Sequence, residues 1–414
     1  MKKHMVFIVN DYLPKPTANG VCVSNVVEVL KNKYNITILC QMTDCNQIQI
    51  ETIQEVTIFR CLTAERQERI NSKNKVRLKY IQTKKYLRDI FSVDSIDKRL
   101  TNEFFNSLKK INELNRIDYI IPVCFPFESI IAAIEFSKLA NIQVIPFLFD
   151  KFAASNTRHR NKVNKKFKYK INQRLELSSF KYCNSVISSL DWKNYFDSID
   201  SSLFSKNYVQ VPTLVPVFVK IKRKIPKNEL ISVIFAGNVS SNMRPIDGVA
   251  RVLMAYNSQY SNIKFNFYGN GDMISALKNI KKKFSDNIHV STSIPLEELR
   301  QRYVDADILC SIGNMDISQT PSKVFEYIST GKPIVHFYRK KEDPVIEILS
   351  KYKQSICINQ NADLKVQVRQ LHEFSIRNFD RLNFDEIKKI YYNATPQYTA
   401  KVIEQIISKG EKKV

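Results

Sequence analysis

The feature that most constrains this chain is how little glycine it contains and where that glycine lies. Only eight of its 414 residues are glycine, and six of the eight lie between Gly237 and Gly331. Eight residues are about 2% of the chain, against a usual share of roughly 7%. A chain this poor in glycine keeps it where a side chain does not fit, at tight turns and close backbone approaches. The glycines therefore mark a candidate ligand site in the second half.

Three of these glycines end runs of apolar residues that are typical of buried strands. The runs cover residues 231–236, 263–268 and 306–312, and a helical pattern follows each of them. Glycine is common in any strand-to-helix loop, so one such turn would carry little weight. Three in the same position predict parallel strands whose carboxyl ends carry the turns, which is where open α/β sheets bind ligands.

Composition limits the class of protein. The length predicts two to three domains of about 150 residues each. The longest apolar run, residues 120–134, is interrupted by Glu128 and is shorter than the roughly 18 residues of a membrane span. The first apolar stretch ends at Asn10, so we interpret it as a strand and not as a signal peptide. The eight cysteines contain no Cys-x-x-Cys pair, which predicts reduced thiols, a cytoplasmic protein and no structural zinc.

The net charge of +24 is concentrated in two places. Residues 66–88 and 151–174 each contain nine lysines or arginines, with only Glu68 as an acid. Within the second cluster, Val163, Phe167, Ile171 and Leu175 recur every fourth residue, which predicts a basic amphipathic helix. Anionic lipid attracts such residues by about 1 kcal/mol each, so we expect an anionic membrane surface as partner, although a merely solvated lysine-rich surface is the alternative. Nucleic acid is not expected, because no nucleic-acid-binding motif is present.

The alternation of strands and helices is interrupted once, near the middle of the chain. Two prolines within residues 209–216 and the polar stretch after them are typical of a linker. Because both halves alternate strands and helices, the expected fold class is α/β with two doubly wound parallel sheets. The predicted domains are residues 1–215, residues 216–392, and a terminal helix in residues 393–414 that packs back toward the N-terminal domain.

The most specific segment covers residues 318–335, Ser-Gln-Thr-Pro-Ser-Lys-Val-Phe-Glu-Tyr-Ile-Ser-Thr-Gly-Lys-Pro-Ile-Val. Thr320 stands where an N-cap residue belongs and Pro321 where a helix tolerates proline, so we predict a helix beginning at Pro321. The free N–H groups at such a helix end suit a phosphate. Lys323 lies in the first turn, and Glu326 follows one turn later, within reach of sugar or ribose hydroxyls.

This segment resembles the donor-site helix of retaining GT-B glycosyltransferases, the large nucleotide-sugar-dependent group with a Glu-x7-Glu motif that includes the family 4-like enzymes. Other matching segments follow in the expected order: a proline-rich loop ending in Gly20, Asp150 after a strand, Ala236-Gly237-Asn238, Gly269-Asn-Gly271, and Tyr303-Val-Asp-Ala-Asp307. The resemblance implies two Rossmann-like domains facing each other across a cleft. The second of them would bind a nucleoside diphosphate sugar.

The resemblance also implies roles for individual residues. Glu326 would hold the donor ribose, and the turn after Ile294 would meet the base through its backbone. The remaining residues expected to contact the donor are Gly20, Gly237, Asn238, Gly269, Gly271, Thr320, Pro321, Ser322 and Lys323. The catalytic residues are expected to be Arg244, Lys323 and Glu326. Asn238 stands where the family commonly has arginine, so Arg244 is the cation available to stabilise the leaving diphosphate.

A second departure concerns the motif itself, because Ser318 stands where its first glutamate belongs. The family's retaining enzymes use the departing phosphate oxygen to take the acceptor proton, so the resemblance implies no side-chain base. His336 is then interpreted as a core histidine. Asp150 and Glu128 are open to two interpretations, acceptor contact or helix capping. No metal or other cofactor is expected, because no Asp-x-Asp ends a strand and the histidines are scattered.

The sequence therefore favours a retaining glycosyltransferase at the inner face of the cell membrane. It would move a hexose from a UDP- or GDP-sugar to a lipid-linked or surface-glycan acceptor in polysaccharide or cell-envelope biosynthesis. The alternative, motivated by Ser318 and Asn238, is a catalytically silent homologue that binds or activates another transferase. A sugar-phosphate epimerase of the same architecture would need acid and base groups that the sequence does not show.

Overall fold

The computed structural model describes residues 2–72, 74–155, 162–199, 202–217, 230–283, 287–292 and 294–411. The chain divides into two compact units, Met1–Pro212 together with Asn393–Val414, and Thr213–Tyr392. Within the described ranges, no helix combines the length and the hydropathy needed to cross a bilayer.

The first unit is an α/β structure on a mainly parallel sheet. Its strands are β1 (His4–Ile8), β2 (Asn35–Gln41), β3 (Ile50–Ile53), β4 (Val56–Cys61), β5 (Tyr119–Cys124), β6 (Gln143–Val144), β7 (Phe147–Leu148), β8 (Ser185–Ser189) and β9 (Ser205–Val209). Its first seven helices are α1 (Ala18–Leu30), α2 (Ala64–Asn71), α3 (Lys75–Phe91), α4 (Lys98–Leu114), α5 (Glu128–Ala140), α6 (Lys162–Cys183) and α7 (Lys193–Asp197). The described strands run in the order β3-β4-β2-β1-β5-β7-β8-β9, with β6 beside β5 and with β3 antiparallel to β4.

The second unit repeats the pattern with a shorter sheet. Its strands are β10 (Ile231–Ala236), β11 (Ile263–Tyr268), β12 (Ile288–Ser291), β13 (Ile308–Ile312), β14 (Ile334–Tyr338) and β15 (Ser355–Asn359). Its helices are α8 (Asp247–Gln259), α9 (Ile274–Lys283), α10 (Leu296–Asp305), α11 (Lys323–Ser329), α12 (Pro344–Ser350), α13 (Leu364–Ser375) and α14 (Phe384–Ile390). The described strands are parallel and run in the order β12-β11-β10-β13-β14-β15.

The local sequence explains where several helices begin. Asp97, Asp343, Asp363 and Asn383 each stand just before a helix, and each side chain accepts a hydrogen bond from a backbone N–H of the first turn. Such caps satisfy N–H groups that have no partner inside the helix. Central strands such as β1 and β13 are buried along their whole length, as expected for parallel sheets covered by helices on both faces.

The last helix, α15 (Pro396–Glu411), belongs to the first unit although the chain has passed through the second before reaching it. Its apolar residues Val402, Ile403, Ile406 and Ile407 are buried in the same core as Val23, Val26, Val27 and Leu30 of α1. The terminal helix therefore covers α1 and closes one face of the first sheet.

The predicted basic helix is present as α6, but its apolar residues are distributed differently from the prediction. Leu175 packs against the core, whereas Phe167 and Ile171 are exposed. Val163 lies outside the residues whose side chains are described. The apolar side of α6 is thus exposed at Phe167 and Ile171 and packs against the core from Leu175 onward.

Candidate active site

The strand order of the second sheet places a ligand crevice at one point. Numbered along the chain, the strands lie in the order 3-2-1-4-5-6, so the order reverses between β10 and β13. In doubly wound sheets, ligands bind outside the carboxyl ends of the strands at this reversal. The loop after β10 carries Gly237, Asn238 and Arg244, and the loop after β13 leads to Thr320 and the residues that follow it. Sequence reasoning and topology therefore select the same edge.

The loop after β10 rests directly on the loop after β11. A Cβ atom at Gly269 would overlap the carbonyl oxygen of Gly237, and one at Gly271 would overlap that of Val239. Gly271 also has φ = +134°, which L side chains rarely adopt. These two glycines, expected from the sequence to contact the donor, permit the contact between the loops. Their effect on a ligand would be indirect, through the position of the β10 loop.

A side-chain contact joins the same two loops. Ser241 donates from its backbone N–H to Asp272 Oδ1 at 3.0 Å and from its hydroxyl to Asp272 Oδ2 at 2.7 Å. These bonds lower the pKa of the Asp272 carboxyl, because they stabilise its charged form. The carboxylate is thereby engaged within the protein, at the base of the loop that carries Arg244.

Arg244 is the cation at the strand reversal. Its Nε and Nη2 both donate to Asn314 Oδ1, at 3.1 and 2.7 Å, and its Nη1 lies 3.1 Å from where a Cβ of Gly237 would stand. Burial lowers its pKa, but arginine stays protonated at neutral pH. No carboxylate of the described residues lies within 4.0 Å of this guanidinium. The geometry therefore presents a partly buried, fixed cation whose charge is not balanced by a direct ion pair.

Asn314 is a site residue that sequence reasoning missed. Besides accepting from Arg244, its amide donates to the carbonyl of Gln319 at 2.9 Å, so it fixes the loop after β13 as well as the guanidinium. The Met315 backbone N–H donates to the carbonyl of Met243 at 2.8 Å and holds the same two loops together. The only available sequence signal was that Asn314 follows Gly313 at a strand end.

The predicted start of the donor helix is wrong by two residues. The helix α11 begins at Lys323, and Ser322 occupies the N-cap position, without a side-chain capping bond among the described residues. Val324 N–H donates to the Pro321 carbonyl at 3.1 Å, and Ser322 is already in the right-handed helical region. This tight turn takes the place of a Thr320 cap. With seven residues, α11 is too short for its dipole alone to define a phosphate site.

Lys323 and Glu326 lie together, one turn apart on α11. Lys323 Nζ is 3.7 Å from Glu326 Oε2 and donates to the Tyr303 hydroxyl at 3.3 Å. Both side chains remain partly exposed, at 30% and 19%. Lys323 and Glu326 therefore balance each other's charge, unlike Arg244.

Two buried tyrosines connect α11 to β10. The rings of Tyr303 and Tyr327 meet edge to face at 5.2 Å, and the Tyr327 hydroxyl accepts from the Ala236 N–H at 3.1 Å. Burial raises the pKa of both phenols, so they stay neutral hydrogen-bonding groups. Through this pair of tyrosines, Lys323 of α11 is linked to Ala236 at the end of β10.

The other predicted residues lie on other elements of the chain. Asn238 is exposed on the β10 loop, and Ile294 lies on the loop between β12 and α10. Gly20 lies in the first unit, and the prediction that it ends a loop is wrong because it lies inside α1. A side chain there would overlap the Asp11 carbonyl oxygen, so this glycine lets α1 pack on the loop after β1.

His336 and Glu128 have structural roles. His336 is fully buried, and its ring nitrogens lie 3.1 Å from Ser311 Oγ and 3.2 Å from Asp343 Oδ2. Glu128 is buried and accepts from the Asp97 N–H at 2.8 Å, just before α4. The helix-end interpretation therefore accounts for Glu128.

Asp150 is only partly buried and accepts from Asn19 Nδ2 at 3.1 Å. Burial is the main cause that raises the pKa of its carboxyl. Asp150 thus stays a candidate for acceptor contact. Among the described residues, no three His, Cys, Asp or Glu side chains cluster closely enough to hold a metal ion.

The fold is shared with solved glycosyltransferases. Sucrose-phosphate synthase from Thermosynechococcus elongatus is 11% identical, with 100% of each chain covered and a TM-score of 0.64. WaaG, a glycosyltransferase involved in lipopolysaccharide biosynthesis, is also 11% identical, with 96% of this chain and 99% of WaaG covered and a TM-score of 0.58. No protein-family model and no curated protein sequence matches the chain. The structural similarities confirm the predicted α/β GT-B fold.

The fold is not restricted to transferases. A putative UDP-N-acetylglucosamine 2-epimerase from Listeria monocytogenes is 10% identical, with 100% of this chain and 98% of that chain covered and a TM-score of 0.54. At these identities the similarity shows the fold alone. The function therefore has to be argued from the residues at the strand reversal.

Proposed function

We propose that this protein is a retaining glycosyltransferase that takes a hexose from a UDP- or GDP-sugar. The observation that carries the proposal is the Arg244 guanidinium, which Asn314 fixes at the carboxyl edge of a parallel sheet. No carboxylate of the described residues forms an ion pair with it, and Asp343 acts on its charge only from beyond 4.0 Å. A fixed and unbalanced arginine at this edge suits the diphosphate of a nucleotide sugar, because its planar fork matches phosphate oxygens.

The proposed chemistry depends on charge that appears as the sugar leaves. Breaking the bond from sugar to phosphate places negative charge on the departing diphosphate. Arg244 would stabilise that charge without having to reorganise, because Asn314 already orients its guanidinium. Lys323 is the second cation, and it would exchange part of its contact with Glu326 for a phosphate oxygen.

Glu326 would receive the donor ribose, since carboxylate oxygens accept hydrogen bonds from vicinal hydroxyls. Retention of the anomeric configuration is proposed because residues 321–335 resemble the donor helix of retaining enzymes. In such enzymes the leaving phosphate takes the acceptor proton, so the proposal needs no side-chain base. The burial of His336 fits this, because a fully buried imidazole cannot reach an acceptor hydroxyl.

The acceptor we propose is a lipid-linked or surface-glycan precursor, with the protein at the inner face of the cell membrane. Support comes from the concentration of cations in residues 66–88 and 151–174. The similarity to WaaG, a glycosyltransferase involved in lipopolysaccharide biosynthesis, fits a role in cell-envelope polysaccharide synthesis.

The first experiment is a thermal-shift panel of UDP, GDP and their hexose conjugates, because a ligand of the folded state raises its melting temperature. Release of the free nucleotide is then measured with the donor that binds. Arg244→Ala and Glu326→Ala should each abolish that release. Arg251→Ala, at an exposed arginine of α8 in the same unit, is the matched control and should leave it unchanged. NMR of the product would report the configuration of the new linkage.

The second candidate is a catalytically silent GT-B homologue that serves another transferase. It is favoured by Ser318, an exposed residue that cannot replace a glutamate beside the transferred sugar. Asn238 adds to it, because the loop lacks the common arginine. Absence of any nucleotide binding would support this subunit role, whereas slow nucleotide release that depends on Glu326 would support the enzyme.

A further inference from the structure

The helix α3 has an apolar stripe that faces solvent. Val76, Tyr80, Leu87 and Phe91 are 76%, 62%, 47% and 82% exposed. At 100° per residue these four positions fall within an arc of about 60°. A helix of a globular protein normally turns such a stripe toward the core. In α3 the stripe points away from it.

The outward orientation is fixed by contacts on the other faces of α3. Ile81 is only 6% exposed. Arg88 forms ion pairs with Glu65 at 2.7 Å and Asp97 at 3.0 Å, which fasten the helix to α2 and to the start of α4. The stripe is therefore exposed in the folded chain and is not an unpacked end.

The second basic segment lies beside the end of α3. Lys168 of α6 is buried and donates to Ser92 Oγ at 2.8 Å, and Asn172 exchanges hydrogen bonds with Ser95. One residue before Lys168, Phe167 is 75% exposed, and Val93 in the turn after α3 is also 75% exposed. The two clusters that are separate in the sequence thus meet at residues 92–95. We call Val76, Tyr80, Leu87, Phe91, Val93, Phe167 and Ile171 the outer apolar face.

Exposed cations border this face. On α3 they are Arg77, Lys79 and Lys84, and on α6 they are Lys170 and Arg174. Large apolar side chains flanked by lysines are typical of helices that lie in a membrane interface, where the apolar side enters the acyl boundary and the cations meet anionic head groups. A second copy of the chain fits less well, because a symmetric contact would oppose the same cations.

We propose that the outer apolar face docks on an anionic lipid bilayer, with Phe91, Val93 and Phe167 entering the interface. The proposal rests on the membrane location proposed above but not on the transfer reaction. Its test measures lipid binding alone, so it can fail while glycosyl transfer stands.

A tryptophan introduced at the surface can be followed by its fluorescence. The chain's own single tryptophan, Trp192, is fully buried, so membrane contact at the surface should hardly change its emission. In the full-length protein, Phe91→Trp should give a blue-shifted emission with phosphatidylcholine vesicles that contain phosphatidylglycerol, and no shift with phosphatidylcholine alone. Leu114→Trp, at a position of α4 that is 72% exposed, is the matched control and should not shift in either case.

Cosedimentation with the same vesicles tests the charges. Lys79→Gln/Lys84→Gln should weaken binding by about fivefold for each cation removed, and Phe91→Ser by about tenfold or more. Lys109→Gln/Lys110→Gln removes the same charge from exposed positions of α4 and should have a much smaller effect.

Three results would overturn the proposal. They are an unshifted Phe91→Trp emission on anionic vesicles, equal losses for the two lysine pairs, and a dimer in sedimentation velocity that Phe91→Ser dissociates. The last result would assign the face to a second copy of the chain.

Discussion

Asn314→Asp isolates the electrostatic role of Arg244 from its packing. The substitution keeps an oxygen where Asn314 Oδ1 accepts from Nε and Nη2, so the guanidinium should stay in place. It adds a negative charge, however, that competes with an incoming diphosphate. The bond to the Gln319 carbonyl is lost, while a charge-assisted pair with Arg244 is gained, so the melting temperature should change little.

The magnitude follows from the geometry. Two unit charges about 4 Å apart interact by about 4 kcal/mol at an effective dielectric constant near 20. Arg244 is only partly buried, so solvent screens part of this, and we expect the donor affinity to fall by about 10- to 100-fold, or about 1.4 to 2.7 kcal/mol.

The assay is calorimetric titration of the wild type, Asn314→Asp, Asn314→Ala and the control Asn279→Ala with the nucleotide that the thermal-shift panel identifies. Asn279 is exposed on α9 in the same unit. Asn314→Ala should weaken binding less than Asn314→Asp, because it loosens the guanidinium without neutralising it. A folded Asn314→Asp variant that binds the nucleotide as tightly as the wild type would refute the assignment of Arg244 to the diphosphate.

Three further predictions concern stability. Gly271→Ala should lower the melting temperature for two reasons. The disfavoured φ alone should lower the free energy of unfolding by about 1–3 kcal/mol, and the added Cβ would also overlap the Val239 carbonyl. An unchanged melting curve would contradict this contact between the loops. Burial raises the pKa of Glu176 from 4.5 to about 7, so the folded state holds a proton that the unfolded state releases, and stability should fall as the pH rises between these values. Melting temperatures measured across that pH range should show the fall in the wild type and a flatter profile in Glu176→Gln. Ile403→Ala should lower the free energy of unfolding by about 2–5 kcal/mol, because Ile403 is fully buried in the core that it shares with α1. Chemical denaturation that follows the first unit would measure this loss. Lys401→Ala, at an exposed position of α15, is the control and should lower the free energy of unfolding only slightly.

Much of the fold could be predicted from the sequence because buried parallel strands leave a strong local pattern. The apolar runs that end at Gly237, Gly269 and Gly313 correspond to β10, β11 and β13, which lie side by side. Their adjacency follows from the rules of doubly wound sheets and not from the residues themselves. Arg244 could be identified from the sequence for the same reason, because it is the cation of a loop whose position the fold determines.

The rest of the site depends on contacts between distant segments, which local patterns do not report. Asn314 acts through a partner 70 positions away, and the pairing of Tyr303 with Tyr327 depends on how α10 and α11 pack. The start of α11 was misplaced because Thr320-Pro321 is a good capping sequence, yet the turn closed by Val324 satisfies the backbone differently.

Hydrophobic periodicity shows that a helix has an apolar side, but it does not show whether that side faces the core or solvent. The stripe on α3 and the exposed end of α6 have the pattern of core helices, and only the ion pairs of Arg88 and the buried Lys168 reveal that they face outward.

The position of α15 has a consequence for the order in which the chain matures on the ribosome. Residues 213–392 form a contiguous unit, so every segment of that unit has been synthesised before α15 emerges. The earlier unit cannot cover α1 until residues 396–411 leave the exit tunnel, although it begins at the amino terminus. The first half to be made is thus the last to be completed, and a nascent chain stalled before α15 would present an unfinished core beside α1 to chaperones.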